Sequence, residues 1–274
     1  MMEFFKYEAS ANDFIILDGR FAPPPRVEWI RAACERHTGV GADGVIVLLP
    51  SKECDLAMRI FNPDGSEAEM CGNGIRALAL FAADIGITDS DEISVETMAG
   101  TRSVVRVGAG SPAMFRVCMG LPLYRRKDIP MKGPAEEEAI DVALHLGPEK
   151  VRATCVSMGN PHCVVMEWPE GSRFEALGSE IERLPVFPER TNVEFVEIMN
   201  PGSIKVRVWE RGAGETMACG TGACAALVAS SLQGLTRKTA TVSLPGGDLL
   251  VEWLDDGVYL TGPARKVFQG TTVE

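Results

Sequence analysis

Along the chain, apolar and polar residues alternate over short runs, and twice that alternation gives way to a longer apolar stretch. Residues 56 to 61 and 204 to 209 follow the two-residue period of a strand, whereas Ile75 to Ala83 and Ala223 to Leu232 are rich in Ala and Leu and long enough for a buried helix. Further strand-like runs, SVVRV, MFRVCM, KVRVWE, LLVEW and VYLTG, outnumber the helices. The stretch RRKDIPMKGPAEEEAIDVALHLGPEK (125 to 150) is charged and opens with turn formers, so a connection followed by a surface segment is expected there.

The two strand-to-helix passages are copies of each other. MRIFNPDGSEAEMCGNGIRAL (58 to 78) lies over VRVWERGAGETMACGTGACAA (206 to 226) without a gap. One offset of 148 residues carries Cys71 onto Cys219, Arg59 onto Arg207, Glu67 onto Glu215, Gly72 onto Gly220 and Gly74 onto Gly222. It also carries Asn12 onto Asn160 and GVIVL (44 to 48) onto NVEFV (192 to 196). A register held this long marks a tandem duplication. The predicted fold class is α+β: two pseudo-symmetric lobes, each a mainly antiparallel curved sheet around one principal helix, with the active site in the cleft between them. The boundary is placed near residue 121, which gives lobes over 1–121 and 122–262.

Composition narrows the setting. With 274 residues, 46% of them apolar, the chain can bury one large core or two of ordinary size. No apolar run approaches the roughly 20 residues of a spanning helix. The start, MMEFFKYEAS, lacks the basic opening and apolar run of a secretory signal, so a cytoplasmic protein is expected. A net charge of −11, with no basic run beyond Arg125 to Lys127, argues against nucleic-acid binding. Eight cysteines without a C-x-x-C pair read as reduced thiols, and no metal site is expected.

Cys71 and Cys219 stand apart from the other six because each sits at the N-terminus of a predicted helix. N–H groups at a helix start attract anions, and Gly72, Gly74, Gly220 and Gly222 remove the side chains that would keep a carboxylate from reaching them. The same partial charge lowers a thiol pKa, which makes these two cysteines the better thiolate candidates. Removing the α-proton of an amino acid pushes charge into its carboxylate, and donors aimed at that group lower the barrier. A thiolate on one face could take the proton while a thiol on the other returns one, inverting the centre. No cofactor is needed for this. The cysteine loops hold no lysine for pyridoxal phosphate, and no P-loop or dinucleotide fingerprint is present. A lone cysteine before a glycine turn is ordinarily a small buried residue; its recurrence at the same place in both halves favours a chemical role.

SANDF, GVGADG, RIFNPDGSEAEMCGNGIRA, ETMAGTRS, MGNPHCV, RTNVEFV, ERGAGETMACGTGACA and LTGPA occur in order over nearly the whole length. In these motifs the sequence closely resembles the diaminopimelate epimerase family. The resemblance implies a pyridoxal-independent isomerase that interconverts LL- and meso-2,6-diaminopimelate in lysine biosynthesis. It implies a return of residues 263–274, including KVFQGTTVE, to the first lobe, and Cys71 and Cys219 as the catalytic pair. Asn62, Asn192 and Arg211 fall on positions for the distal amino-acid head of the substrate, where an arginine can hold a carboxylate with two hydrogen bonds. Asn12, Asn160 and Glu210, with the helix-start residues Gly72, Asn73, Gly220 and Thr221, fall on other binding positions. The resemblance also places His162 near Glu210 as a supporting acid or base, and a homodimer is one assembly consistent with it.

The halves differ where a substrate with one reacting and one distant centre would require it: Asn62 opposes Glu210, Pro63 opposes Arg211, Gly44 opposes Asn192 and Phe14 opposes His162. Glu67 and Glu215 are left as loop charges. Two positions depart from the family pattern. Gly44 stands where some members carry glutamine, and Ala11 where many carry glycine. A proline or hydroxyproline racemase is the alternative with the same cysteine pair, but it has no distal head for Asn62, Asn192 and Arg211 to bind.

Overall fold

The run LAMRIF buries Leu56, Met58 and Ile60 on one face and leaves Ala57 and Arg59 half-buried on the other, and it forms a strand. The same alternation recurs through a computed structural model that describes residues 2–21 and 23–272. The chain divides into two units, one ending at Cys118 and joined by the residues from Thr261 on, the other spanning Met119–Leu260.

In the first unit the elements are β1 (Glu3–Ala9), β2 (Asn12–Asp18), α1 (Val27–Cys34), β3 (Gly44–Leu49), β4 (Leu56–Phe61) and β5 (Glu67–Ala68). They are followed by α2 (Gly72–Asp84), β6 (Glu92–Thr97), β7 (Gly100–Val107) and β8 (Ala113–Cys118). The second unit holds β9 (Val142–Leu146), β10 (Glu149–Ser157), β11 (Pro161–Val165), α3 (Ser172–Glu182), β12 (Asn192–Asn200), β13 (Ser203–Glu210) and β14 (Gly214–Thr216). There follow α4 (Gly220–Leu232), β15 (Thr239–Leu244), β16 (Gly247–Leu254) and β17 (Gly257–Thr271), whose later residues belong to the first unit.

Pairing in the first unit runs β1, β2, β3, β4, β6, β7, β8. β17 pairs with both β8 and β1 and closes the ring. β2–β3 and β4–β6 are parallel. The second unit repeats the order from β10 through β11, β12, β13, β15 and β16, again with two parallel pairs, β11–β12 and β13–β15. The outer neighbour of β10 is β9, in a hairpin, where the outer neighbour of β1 is β17. β17 pairs with β1 from Arg265 to Thr271; Val273 and Glu274, the end of KVFQGTTVE, lie outside the described residues.

Each sheet curves around one 13-residue helix. Gly72 through Ala82 of α2 are all buried, and in α4 every residue from Gly220 to Ser230 is buried except Thr221. A helix apolar on all sides can be stable only with a wall on every side. α2 packs on β1, β2, β3, β4, β7 and β8, and α4 on β10 to β13, β15 and β16. Ile75, Leu78 and Phe81 are fully covered, each worth about 1.5–3 kcal/mol of transfer from water.

The stretch from 125 to 150 corrects the expectation of a connection and surface segment. It contains a short 3₁₀ helix, Arg126–Asp128, and the whole of β9, and Ile129, Met131, Ala139, Leu144 and Leu146 are buried in the core of the second unit. Its charged residues mask a sparse apolar pattern, one side chain in every few, that is enough to anchor it.

β1 and β2 are joined by the two-residue turn Ser10–Ala11, with Ala9 opposite Asn12. Both turn residues have positive φ, 56° and 60°, as a type I′ hairpin requires. Ser10 is buried and receives a hydrogen bond from Arg76 at 3.0 Å, whereas Ala11 is exposed and carries a Cβ in a region that suits glycine. Ala11→Gly is therefore expected to raise stability by about 0.5–1 kcal/mol, read as a higher denaturant midpoint at unchanged slope. A lower midpoint would show that the turn carries no strain at Ala11.

Candidate active site

In the first unit β4, β5 and the start of α2 hold Cys71. Arg59 on β4 clamps Glu67 on β5 with two contacts of 2.6 and 2.7 Å, which fixes the strand from which the chain turns into α2. Cys71 is the N-cap of that helix, with extended backbone, and its sulfur accepts the Gly74 N–H at 3.4 Å. Asn12 stands at the start of β2, its Oδ1 3.9 Å from Cys71 Sγ and 3.4 Å from Asn73 Nδ2. The Asn12 amide is aimed by a 2.9 Å bond from Nδ2 to Asp43. Arg76, fully buried one turn along α2, donates to Asn73 Oδ1, Gly72 O and Ser10 Oγ. A buried cation thus lies against the helix start that carries Cys71.

The second unit repeats the constellation with different charges. Arg207 holds Glu215 at 2.8 and 3.0 Å, Cys219 caps α4, and its sulfur accepts the Gly222 N–H at 3.4 Å. Thr221 Oγ1 is 3.4 Å from Cys219 Sγ and receives Asn160 Nδ2 at 3.4 Å. Asn160 Oδ1 in turn meets His162 Nε2 at 3.0 Å, and His162 Nδ1 meets Glu194 Oε1 at 2.7 Å. His162 and Glu194 are both fully buried. Burial raises the Cys219 thiol well above its usual range, and the charge of Glu210, with that of Glu194 when ionised, raises it further, outweighing Thr221 and the Gly222 N–H. Each unit therefore presents one sulfur at a helix N-terminus where the first-turn N–H groups have no acceptor within the helix. That combination can receive a carboxylate and move a proton at the carbon beside it.

The family model for diaminopimelate epimerase matches residues 4–123 and 154–267. A diaminopimelate epimerase of Desulforudis audaxviator is 49% identical, over 99% of each chain, and one of Moorella thermoacetica is 46% identical over 98% of each. The chain belongs to the diaminopimelate epimerase family. Among solved structures, a probable proline racemase from Agrobacterium radiobacter K84 superposes with a TM-score of 0.74 at 15% identity, covering 100% of this chain and 93% of the other. That likeness speaks for the fold alone, in line with the two-lobe α+β duplication expected from the sequence.

Of the residues that the family resemblance singles out, Asn12, Cys71, Gly72 and Asn73 gather in the first unit, and Asn160, His162, Cys219, Gly220 and Thr221 in the second. Glu210, half-buried at the end of β13, accepts from Thr216 Oγ1 at 2.6 Å and acts on Cys219 by its charge. Asn192 and Arg211 meet: the Asn192 Oδ1 accepts the Arg211 N–H at 2.9 Å while its Nδ2 donates to Pro161 O. Arg211 is exposed, with Nη1 on Glu189 O at 3.1 Å. Asn62 lies in the exposed turn after β4, its Nδ2 on Ser66 Oγ at 3.0 Å. At Gly44 a Cβ would stand 2.7 Å from Phe61 O, so the absence of a side chain there is required by the close approach of the strands.

One expectation needs correction and one is incomplete. Cys219 is not a ready thiolate, because burial and carboxylates outweigh the helix terminus. The expectation for His162 lacks its direct carboxyl partner, Glu194, on which Glu210 acts by its charge. Glu194 escaped the sequence reading, yet its signal was present: at the common offset it opposes Ile46, a lone acid in a run of apolar residues.

With Cys219 protonated near neutral pH, its alkylation by iodoacetamide should be slow and should accelerate with rising pH. Removing the Glu210 charge with Glu210→Gln should lower the thiol pKa and raise the rate at pH 7 by about fivefold or more, measured by peptide mass spectrometry. An unchanged rate would show that Glu210 does not act on the sulfur.

Proposed function

We propose that this chain interconverts LL- and meso-2,6-diaminopimelate without a bound cofactor, as a step of lysine biosynthesis. The observation that carries the reading is the pair of cysteines at matching helix starts in a chain that matches diaminopimelate epimerases over nearly its full length. The reaction needs a base and an acid on opposite faces of one carbon. In the proposed step the Cys71 thiolate takes the α-proton, forming S–H as C–H breaks, and Cys219 gives its thiol proton to the other face of the carbanion. Cys71 ends as thiol and Cys219 as thiolate, so the reverse reaction starts from the state that the forward one leaves. The resting protonation of Cys219 makes it the donor in the first turnover.

While the carbanion exists, its charge spreads into the α-carboxylate. Donors at the helix starts, with Asn12, Asn73, Asn160 and Thr221 around the sulfurs, are the groups proposed to stabilise it. His162 and Glu210 are proposed to set the charge state of Cys219. Arg211 is proposed to grip the distal carboxylate, with Asn192 fixing its backbone and Asn62 completing the distal set. No helix among the described residues is long and apolar enough to cross a membrane, and the proposed location is the cytoplasm. Assembly as a homodimer is part of the proposal and is read by light scattering.

The test is to offer the purified chain LL-diaminopimelate, L-proline and trans-4-hydroxyproline separately. Only diaminopimelate should be inverted. Arg211→Lys should lower kcat/KM on diaminopimelate by about tenfold or more, because lysine keeps the charge but loses the planar two-point grip. Inversion of proline but not diaminopimelate would replace this reading with a proline racemase. Near-parent kinetics for Arg211→Lys would remove Arg211 from the site.

A further inference from the structure

Near Cys219 lies a pair of polar groups that the first unit lacks. His162 and Glu194 are both fully buried, and at the common offset their counterparts are Phe14 and Ile46, equally buried and apolar. The fold closes around Phe and Ile at these positions in one unit, so packing does not call for a histidine and a carboxyl in the other.

Hydrogen-bond polarity fixes the tautomer that a neutral His162 adopts. Asn160 Nδ2 donates to Thr221 Oγ1, which turns Asn160 Oδ1 toward His162 Nε2. Nε2 therefore carries a hydrogen, and in a neutral imidazole Nδ1 is left as an acceptor. Its partner at 2.7 Å, Glu194 Oε1, must then be the donor. The other carboxyl oxygen agrees with this. Glu194 Oε2 is buried with no hydrogen-bond partner among the described residues, which is costly for a carboxylate and far less so for the carbonyl of a neutral acid. A third observation is the crowding at Gly222. Glu194 Oε1 and Cys219 Sγ lie 2.8 and 3.3 Å from the single point where a side chain at Gly222 would begin. An ionised Glu194 would add to Glu210 a second negative charge next to a sulfur that has to become a thiolate.

We propose that Glu194 acts as a neutral carboxylic acid that donates its proton to His162 Nδ1, locking the His162–Asn160–Thr221 chain that ends at Cys219 Sγ while adding no charge beside that sulfur. The role is a positioning one, and its kinetic consequence rests on Cys219 being an acid and base of the proposed reaction. Burial raises the Glu194 carboxyl above the usual range, in keeping with a neutral acid. The titratable groups that face the carboxyl are His162 and Cys163 on β11, Glu210 at the end of β13 and Cys219 at the start of α4.

The chain has three histidines, which makes nitrogen NMR of protein labelled at histidine the direct test. His162, assigned by its loss in His162→Phe, should show a protonated Nε2 and an unprotonated Nδ1 at pH 7 in the substrate-free parent. A protonated Nδ1, either as the other tautomer or as imidazolium, would overturn the proposal. This reading needs no substrate and is independent of which amino acid the chain inverts. In kinetics Glu194→Ile, which supplies the residue of the first unit, should lower kcat by about tenfold or more with a smaller change in KM. Glu194→Gln, whose amide N–H can still donate to Nδ1, should recover most of that loss. Equal losses in the Gln and Ile variants would mean that a negative charge at Glu194 is required, and the proposal would fall.

Discussion

A sulfur that caps a buried helix is the constraint on which the rest of the molecule depends. Cys71 and Cys219 each accept the N–H three residues on, at 3.4 Å, so each sulfur is tied to the first turn of the helix that its own sheet encloses. Neither helix has a solvent face along which to slide, since α2 and α4 are buried almost throughout. The position of the thiol is therefore as well defined as the core. The glycines that follow are part of the same arrangement: at Gly74 a Cβ would meet Ile46 and Ile60 at 3.0 and 3.1 Å, and at Gly222 it would meet Glu194 at 2.8 Å. The ion pairs Arg59–Glu67 and Arg207–Glu215 fix the approach to each helix, which gives the two glutamates a structural role in place of the idle surface charges they resemble in sequence.

Duplication supplies two equivalent positions, and substitution around them makes the two thiols different. Arg76, a buried cation, lies against the start of α2, whereas Cys224 occupies the matching place in α4. Around Cys219 the added groups are His162, Glu194 and Glu210; burial and the Glu210 charge hold the proton on the sulfur. An epimerisation that uses one thiolate and one thiol needs such a difference, because two identical environments would bias both sulfurs toward the same protonation state.

The duplication made much of this legible in the sequence. The offset of 148 residues places α2 on α4 end to end, β1 within β10 and β2 on β11, and it also matches α1 with α3, although no reading of local pattern singled out those two helices. The predicted helices began at Ile75 and Ala223, three residues late, because GNG and GTG look like loop until the cysteine is seen to cap them. The segment from 125 to 150 reads as a surface connection because its buried residues are spaced among charges and prolines, and burial there is decided by the wall it packs on. The link between His162 and Glu194 joins neighbouring parallel strands 32 residues apart in sequence, and strand register alone brings them together.

The central claim is that two different thiols handle the proton, and isotope flow during the first turnovers in heavy water tests it most directly. With LL-diaminopimelate in excess and conversion kept low, the meso product should carry one deuterium at the inverted carbon while recovered substrate carries almost none. That result follows if Cys219, equilibrated with solvent, delivers a deuteron to one face after Cys71 has taken the proton from the other. Early product that retains the original hydrogen would mean that a single base passes the same proton across, and would contradict the account.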